Sequence, residues 1–205
     1  MTQFNESRFW QAIDTAHHWK GAHWSEYDPD EQIALLTDHL ATWNQEELLQ
    51  FELTMRQELA RLYTAEIIEL YTVIWGECTP TKAGYDFDGY VSDDMFLYFR
   101  CWMLLQGKAF CDDMRADINR FVSGGYSFDI ARCDGEGMLY VTDNAYAATH
   151  GEEEDAIRDA AYDAAPELSY DDGDFTLARE PLHGSALHAR YPQLVAEMGA
   201  LRTGA

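Results

Sequence analysis

The chain has 205 residues, of which 47% are hydrophobic and 14% aromatic, so material for a buried core is ample and general disorder is not expected. Its 37 acidic residues against 14 basic ones give a formal net charge of −23, which repels nucleic-acid phosphates and anionic lipid surfaces. Nucleic acid and membranes are therefore not expected partners.

The compartment is predicted from what the sequence lacks. No run of 18 apolar residues occurs, and the opening "MTQFNESRFW" has neither the basic start nor the apolar segment of a secretory signal. We expect a cytoplasmic protein. The four cysteines (Cys78, Cys101, Cys111 and Cys133) include no C-x-x-C pair, so buried free thiols are expected, with disulfides or zinc as the alternative.

The first 122 residues carry the apolar spacing of helices almost throughout. Phe9, Trp10, Ile13 and Ala16 fall on one face, which predicts a first helix over about 6–19.

Start signals predict the next helices. In "DPDEQIALLTDHLATW", Asp28 can cap a helix that has Pro29 in its first position. In "NQEELLQFELTMRQELARLY", Asn44 and Glu47 have the spacing of a capping box. "TAEIIELYTVIW" is predicted to be helical as well, with a strand as the alternative because it is rich in β-branched residues, and Gly76 ends it.

The segment "GECTPTKAGYDFDGYV", residues 76–91, is predicted to be a long loop of the kind that is often functional or mobile. Its "DFDG" contains Asp86 and Asp88 and resembles the beginning of a calcium loop, but the later ligands of an EF-hand are missing. The histidines, including His17, His18 and His23, lack metal-binding spacing and are expected at the surface or as hydrogen-bonded groups at helix ends. We predict no metal and no cofactor.

Further helices are predicted over 93–106 and 108–122, followed by a short extended piece near Met138–Val141 and a helix capped by Thr142. Residues 141–180 then hold 12 acidic and 2 basic residues. This tract predicts one helix, "EEEDAIRDAAYDAA", and a solvated loop from Pro166. A last helix is expected to begin at Pro192, with Tyr191 and Leu194 packed against the body.

Together these elements predict one mainly α-helical domain over residues 1–205. We expect a bundle of six to eight helices with at most a short β element. The helical body would span about 5–150, and an acidic C-terminal segment, about 151–190, would pack on it. The last few residues are expected to be disordered.

The start of the helix over 93–106 has two interpretations. Ser92 is expected to cap the helix with its hydroxyl, and Asp93 and Asp94 suit the positive end of the helix dipole. Alternatively, the two aspartates and the adjoining loop form one wall of a cleft.

Arg100 lies in this helix, which is apolar on most of its sides. A buried guanidinium must be compensated, so we expect Arg100 to pair with a carboxylate from the motif, from the loop, or from Glu52 or Glu69. The alternative is a guanidinium that binds a ligand anion in a pocket. The candidate binding residues are Asp86, Asp88, Ser92, Asp93, Asp94, Tyr98, Arg100 and Trp102.

The sequence resembles a bacterial family, the domain of unknown function 4240. The resemblance rests on Phe-Trp in the first helix and on a central motif formed by Ser92, Asp93, Asp94, Phe96, Tyr98, Phe99, Arg100, Trp102, Gln106 and Gly107. The family usually reaches this motif through a short Gly-Gly-Cys turn, whereas this chain has Cys78 and then a longer loop. The resemblance implies a mostly helical bacterial protein and supplies no catalytic residues.

Two classes of function follow from these observations. The first is an acidic interaction protein or inhibitor, similar to an immunity protein, which binds a basic protein; the charge could equally serve solubility alone. The second is a small enzyme or ligand-binding domain with a pocket around Ser92–Asp94, Tyr98 and Arg100. A continuous acidic face over 141–180 would favour the first class, and a concave pocket containing Arg100 and the motif aspartates would favour the second.

Overall fold

The computed structural model describes residues 6–17, 28–124, 126, 129–151, 155–170 and 175–204. These residues form eleven α-helices and one two-stranded antiparallel sheet, which confirms the expected mainly α fold. The helices are α1 (Glu6–Ala16), α2 (Pro29–Leu40), α3 (Gln45–Arg61), α4 (Ala65–Trp75), α5 (Asp93–Leu105), α6 (Lys108–Ala116), α7 (Arg120–Ser123), α8 (Val141–His150), α9 (Ala156–Ala164), α10 (Gly184–Arg190) and α11 (Pro192–Thr203).

The helix starts in the first half are those that the sequence predicts. The Asp28 carboxylate accepts a hydrogen bond from the backbone N–H of Asp30 at 3.0 Å, at the start of α2. Asn44 and Glu47 exchange two reciprocal hydrogen bonds of 3.0 Å at the start of α3, which completes a capping box. Thr64 caps α4, so this segment is a helix and the strand alternative is discarded.

The β element lies where the sequence predicts a loop. Strand β1 (Glu77–Thr81) pairs with β2 (Gly84–Asp88) from Glu77 opposite Asp88 to Thr81 opposite Gly84, which leaves a two-residue turn. The prediction of an irregular loop over 76–91 is therefore wrong. Strand β2 has the alternation of a half-buried strand, since Tyr85 and Phe87 face inward and Asp86 and Asp88 each follow one of them. The many turn-forming residues nearby made this short pattern hard to recognise in the sequence.

The hairpin is held against the helices by close packing. Phe87 is completely buried, and α10 and α11 both contact β2. A Cβ atom on Gly199 of α11 would lie 2.1 Å from the Tyr85 ring. Only glycine allows this approach, so the last helix and the hairpin form one packed unit.

The extended piece expected near Met138–Val141 is also wrong. Residues Glu136–Tyr140 form a 3₁₀-helix that runs directly into α8 at Val141. Thr142, the expected cap, lies in the first turn of α8, where its buried hydroxyl donates to Glu52 at 3.0 Å. A short apolar run fits a buried helical turn as well as a strand, and here the helical turn is observed.

The described residues contain more helices than the six to eight expected. The predicted helix over 108–122 is divided into α6 and α7, and α10 was not predicted. α11 begins at Pro192 as expected, with Tyr191 and Leu194 buried. α1 ends at Ala16, and residues 18–19 of its predicted range lie outside the described residues, as do His18 and His23.

α5 lies at the centre of the hydrophobic core. Nine of its thirteen residues are buried, and all of these except Arg100 belong to one continuous hydrophobic cluster that reaches from α1 to α11. The Trp102 ring stacks on Phe99, with centroids 5.5 Å apart, and meets Phe110 edge-on at 5.6 Å. The core therefore fixes the position of this helix and of the charged residues at its N-terminal end.

The cysteines are free, as expected from the sequence. Cys101, Cys111 and Cys133 are buried and Cys78 is half-buried. Burial raises the pKa of Cys101 to about 12. Within the described ranges, no group of three or more His, Cys, Asp or Glu side chains could hold a metal ion. None of the described helices is both long and apolar enough to cross a membrane.

A buried carboxylate anchors the C-terminal segment to α4. Glu69 is completely buried and accepts hydrogen bonds from both terminal nitrogens of Arg179, from the backbone N–H of Leu182 at 2.7 Å and from the Tyr191 hydroxyl at 3.0 Å. Arg179 also contacts Glu66, whose side chain is 45% exposed. The hydrogen bonds that Arg179 donates to the two carboxylates, first of all to that of Glu69, raise the pKa of Arg179.

We expect Glu69→Gln to lower the free energy of unfolding by about 3–5 kcal/mol, because it leaves Arg179 without its buried counter-ion. Backbone amide exchange in residues 175–204 should also become faster. The matched control, Glu66→Gln, removes an exposed partner of the same arginine and should cost at most about 1 kcal/mol. Equal losses in chemical denaturation of the two variants would contradict this role for Glu69.

Candidate functional site

A cleft of about 310 Å³ opens beside the N-terminal half of α5. Its volume is within the range of small-molecule sites. The residues that line it are Tyr63, Asp93, Asp94, Leu97, Arg100, Tyr170 and Phe175. Two carboxylates, one guanidinium and three aromatic rings therefore share one concave surface.

α5 contributes the charged wall of the cleft. Asp93, Leu97 and Arg100 follow the i, i+4, i+7 spacing that places residues on one helical face. Asp93 and Asp94 are exposed at the start of the helix. Ser92 is the N-cap residue, but its hydroxyl makes no capping hydrogen bond, so that part of the expectation is wrong. The two aspartates supply the negative charge that the positive helix end favours.

Arg100 is buried, as expected, with 6% of its surface exposed. Its Nη1 donates to the carbonyl oxygen of Leu59 at 2.9 Å, and its Nε donates to that of Phe96 at 3.4 Å. The guanidinium lies 4.8 Å from the Phe96 ring centroid and 5.1 Å from that of Tyr63. Among the described residues, no carboxylate is within ion-pair distance of Arg100, so the expected carboxylate partner is not found.

The surroundings of Arg100 explain how it is buried without a counter-ion. Leu59 lies in the last turn of α3, and its carbonyl oxygen, which also accepts from the N–H of Leu62 at 3.2 Å, is at the negative end of the helix dipole. The ring faces of Tyr63 and Phe96 add cation–π attraction. Burial lowers the pKa of Arg100 to about 10, so the guanidinium remains charged at neutral pH. Within the described part of the chain, its Nη2 donates no hydrogen bond.

The carboxylates proposed from other helices as partners of Arg100 are already occupied. Glu52 pairs with Arg56, with 2.8 Å between Oε1 and Nε, and Glu69 pairs with Arg179. Both acids are completely buried. Each is therefore part of a separate network, and neither compensates the cation in the cleft.

The aromatic walls come from two distant parts of the chain. The Tyr63 ring lies 5.5 Å from that of Phe175, at an angle of 37°. The Tyr170 hydroxyl donates to Glu52 at 2.6 Å, and the Arg56 guanidinium covers its ring at 4.6 Å. Burial, together with the nearby Glu52 carboxylate, raises the pKa of Tyr170 well above its ordinary value. Tyr170 is thus held in place as a neutral hydroxyl donor.

The structure brings together three of the eight candidate residues, Asp93, Asp94 and Arg100. Asp86 and Asp88 lie on the hairpin, where Asp88 is 3.5 Å from His183. Trp102 belongs to the core, and Ser92 precedes the helix without lining the cleft.

Tyr98, the remaining candidate, lies on a different face of α5. Burial, with the nearby Glu136 carboxylate as the next cause, raises the pKa of Tyr98 to about 12. Its backbone carbonyl accepts from the N–H of Gly135 at 3.1 Å. Tyr98 therefore joins α5 to the segment before α8 and is not among the residues that line the cleft.

Sequence reasoning missed the three aromatic residues of the cleft, Tyr63, Tyr170 and Phe175. Tyr63 follows a helix end, and the other two lie about seventy residues beyond Arg100 in a tract read as a solvated loop. Nothing in their local spacing links them to the central motif. Only the packing of the C-terminal segment on α3 brings Tyr170 and Phe175 to the cleft, beside Tyr63.

A second cleft, of about 400 Å³, lies at the start of α2. It is lined by Asp28, Pro29, Asp30, Arg132, Asp134, Glu136 and Gly137. Arg132 partly compensates these acids, with its Nη1 3.6 Å from Asp28. This cleft is a cluster of surface carboxylates, and we assign it no function.

Comparison with known proteins identifies a family. A family model described as "Protein of unknown function (DUF4240)" matches residues 4–86 and 80–148. No curated protein and no solved structure matches the chain. The matched ranges contain the central motif of α5, whereas Tyr170 and Phe175 lie beyond them.

We expect Arg100→Met to change the free energy of unfolding by no more than about 1–2 kcal/mol, because methionine fills similar space and no carboxylate loses its partner. The matched control is Arg56→Met, which leaves Glu52 buried without its counter-ion and should cost about 3–5 kcal/mol. Urea denaturation of both variants beside the wild type measures the difference. A loss for Arg100→Met as large as that for Arg56→Met would make the cleft guanidinium a structural group.

Proposed function

Because this chain belongs to the DUF4240 family, whose members are described as proteins of unknown function, we propose a function from its own cleft: it binds a small molecule that carries an anionic group and a flat apolar body. The observation that carries this proposal is the buried Arg100 guanidinium, which lines the cleft and lacks a carboxylate partner among the described residues.

The chemistry of Arg100 favours an oxygen anion as its partner. A guanidinium presents its N–H groups in a planar fork that matches a carboxylate or a phosphate. Two of its nitrogens are directed to the carbonyls of Leu59 and Phe96, which holds the group in a single orientation. The remaining Nη2 is the donor available to a ligand. A bound anion would also neutralise a charge that burial makes costly.

The rest of the lining favours an apolar body of modest size. Tyr63 and Phe175 contribute two aromatic rings to the lining and Leu97 an aliphatic side chain, and Tyr170 adds a third ring. Flat ligands gain most from such surfaces, because aromatic rings pack in offset-stacked or edge-on arrangements. The proposal is therefore ligand binding, and any reaction of the bound ligand would be a further step.

We expect 3-phenylpropanoate and 2-phenylethylphosphonate, which combine a phenyl ring with a carboxylate or a phosphonate, to bind measurably as probes. Loss of Arg100 should weaken binding at least about tenfold, since one hydrogen bond to a charged group contributes about 1.5–3 kcal/mol. Arg100→Met is compared with Lys82→Met, which removes an exposed positive charge at the hairpin turn and should leave binding unchanged. Ligand-observed NMR titration gives the dissociation constants. Equal affinity for wild type and Arg100→Met would overturn the proposal.

A second candidate function, binding of a basic protein, is supported by the charge distribution. The chain has a net charge of −23, and α9 presents Asp159 and Asp163 to solvent at i, i+4 spacing, with the exposed Asp155 before them and Glu167 after them. Tyr162 beside them is 44% exposed. This acidic stripe would attract a basic surface and speed the encounter.

We expect Asp159→Asn combined with Asp163→Asn to reduce retention of basic proteins from native extract by roughly threefold to tenfold at low salt, because each exposed charge pair contributes up to about 1 kcal/mol. The matched control, Glu31→Gln combined with Asp38→Asn on α2, removes the same charge from another exposed surface. Retention should disappear at high salt. Equal retention by the two double variants would show that general acidity, and no particular surface, is responsible.

A further inference from the structure

We propose that the ligand of the cleft is a zwitterion, an aromatic α-amino acid, whose carboxylate binds Arg100 and whose ammonium group binds Asp93 and Asp94. This inference rests on the proposed ligand-binding function and specifies the chemistry of the ligand. Its basis is that one wall of the cleft carries both signs of charge, in a fixed order along α5.

The two charges are close enough for one small molecule to bridge them. The Cα atoms of Asp93 and Arg100 are separated by seven residues, about 10 Å along a helix axis. The Arg100 side chain runs back toward the helix start, because its Nε donates to the carbonyl of Phe96, four residues earlier. The guanidinium therefore lies about one turn, ~5 Å, from the level of Asp93. The ammonium and carboxylate groups of an α-amino acid are close together. With one hydrogen bond from the ammonium to Asp93 and one from Arg100 to the carboxylate, such a ligand fits this separation.

The aspartates favour a zwitterion over a simple anion. Asp93 and Asp94 are exposed, and neither forms an ion pair among the described residues. Their position at the start of α5 suits the helix dipole, but the same position puts both carboxylates in the lining of the cleft. A ligand with only a negative charge would be repelled by them. An ammonium group on the same ligand turns that repulsion into attraction.

The charge of the whole protein acts in the same direction. A net charge of −23 lowers the local concentration of free anions near the surface. An α-amino acid has no net charge at neutral pH, so this field does not oppose its approach. The rings of Tyr63, Tyr170 and Phe175 then favour an aromatic side chain over a polar one.

Three probes with the same phenylethyl skeleton test the inference. L-phenylalanine has both charges, 3-phenylpropanoate only the negative one, and 2-phenylethylamine only the positive one. We expect wild-type protein to bind L-phenylalanine at least about tenfold more tightly than either of the others, which corresponds to one additional charge-assisted hydrogen bond. Binding is measured by NMR titration at millimolar probe concentrations.

Variants assign the two charges of the ligand separately. In Asp93→Asn combined with Asp94→Asn, the preference for L-phenylalanine over 3-phenylpropanoate should fall to about twofold or less, because the amides no longer attract the ammonium group. Affinity for 3-phenylpropanoate should stay the same or increase. The control Glu31→Gln combined with Asp38→Asn removes the same charge elsewhere and should retain the full preference.

The outcomes separate this inference from the proposed function. If 3-phenylpropanoate binds wild type as tightly as L-phenylalanine does, and Arg100→Met abolishes both, the zwitterion inference is wrong and the anion site stands. If neither carboxylate-bearing probe binds, or if both bind Arg100→Met unchanged, the proposed function fails and the inference fails with it. Binding of 2-phenylethylamine as tight as that of L-phenylalanine would likewise overturn the inference.

Discussion

The buried carboxylate of Glu52 is the interaction on which both the fold and the cleft depend. It is completely buried and accepts from Arg56 Nε at 2.8 Å, from the Thr142 hydroxyl at 3.0 Å and from the Tyr170 hydroxyl at 2.6 Å. These donors come from α3, from α8 and from the chain after α9. The Glu52 carboxylate thus joins three parts of the chain through hydrogen bonds. It also fixes Tyr170, which forms one wall of the cleft.

Two buried arginines in this protein are compensated in different ways. Arg56 has the Glu52 carboxylate, the carbonyl of Arg158 and the ring of Tyr170, so its hydrogen bonds and its charge are both matched within the protein. Arg100 has carbonyls and rings but, among the described residues, no counter-ion. A buried cation with a counter-ion stabilises the fold. A buried cation without one carries a desolvation cost that a bound anion would reduce, and this favours ligand binding. This difference is the physical basis for the proposal that the binding site lies at Arg100.

The sequence predicted features that depend on local contacts. The caps at Asp28 and Asn44 involve neighbouring residues, so a pattern of a few letters identifies them. The hairpin was missed because Thr and Gly suit a loop and a tight hairpin equally well, and its stability comes from packing on α10 and α11. The partner of Arg100 was predicted wrongly, since a helix-end carbonyl that compensates a cation leaves no mark in the sequence. The aromatic walls depend on contacts over more than a hundred residues.

Ionic strength can distinguish the two proposed functions, because salt weakens them to different extents. Attraction between the stripe on α9 and a basic protein acts across solvent and is screened beyond a Debye length of about 8 Å in physiological salt. Contacts inside the cleft involve a guanidinium that is 6% exposed, and salt screens such buried charges much less. A zwitterion also has no net charge, so the electrostatic field of the protein has little effect on its approach. Binding in the cleft should therefore depend weakly on salt, and protein association should depend on it strongly. The two proposed functions are compatible on one molecule because they use separate surfaces.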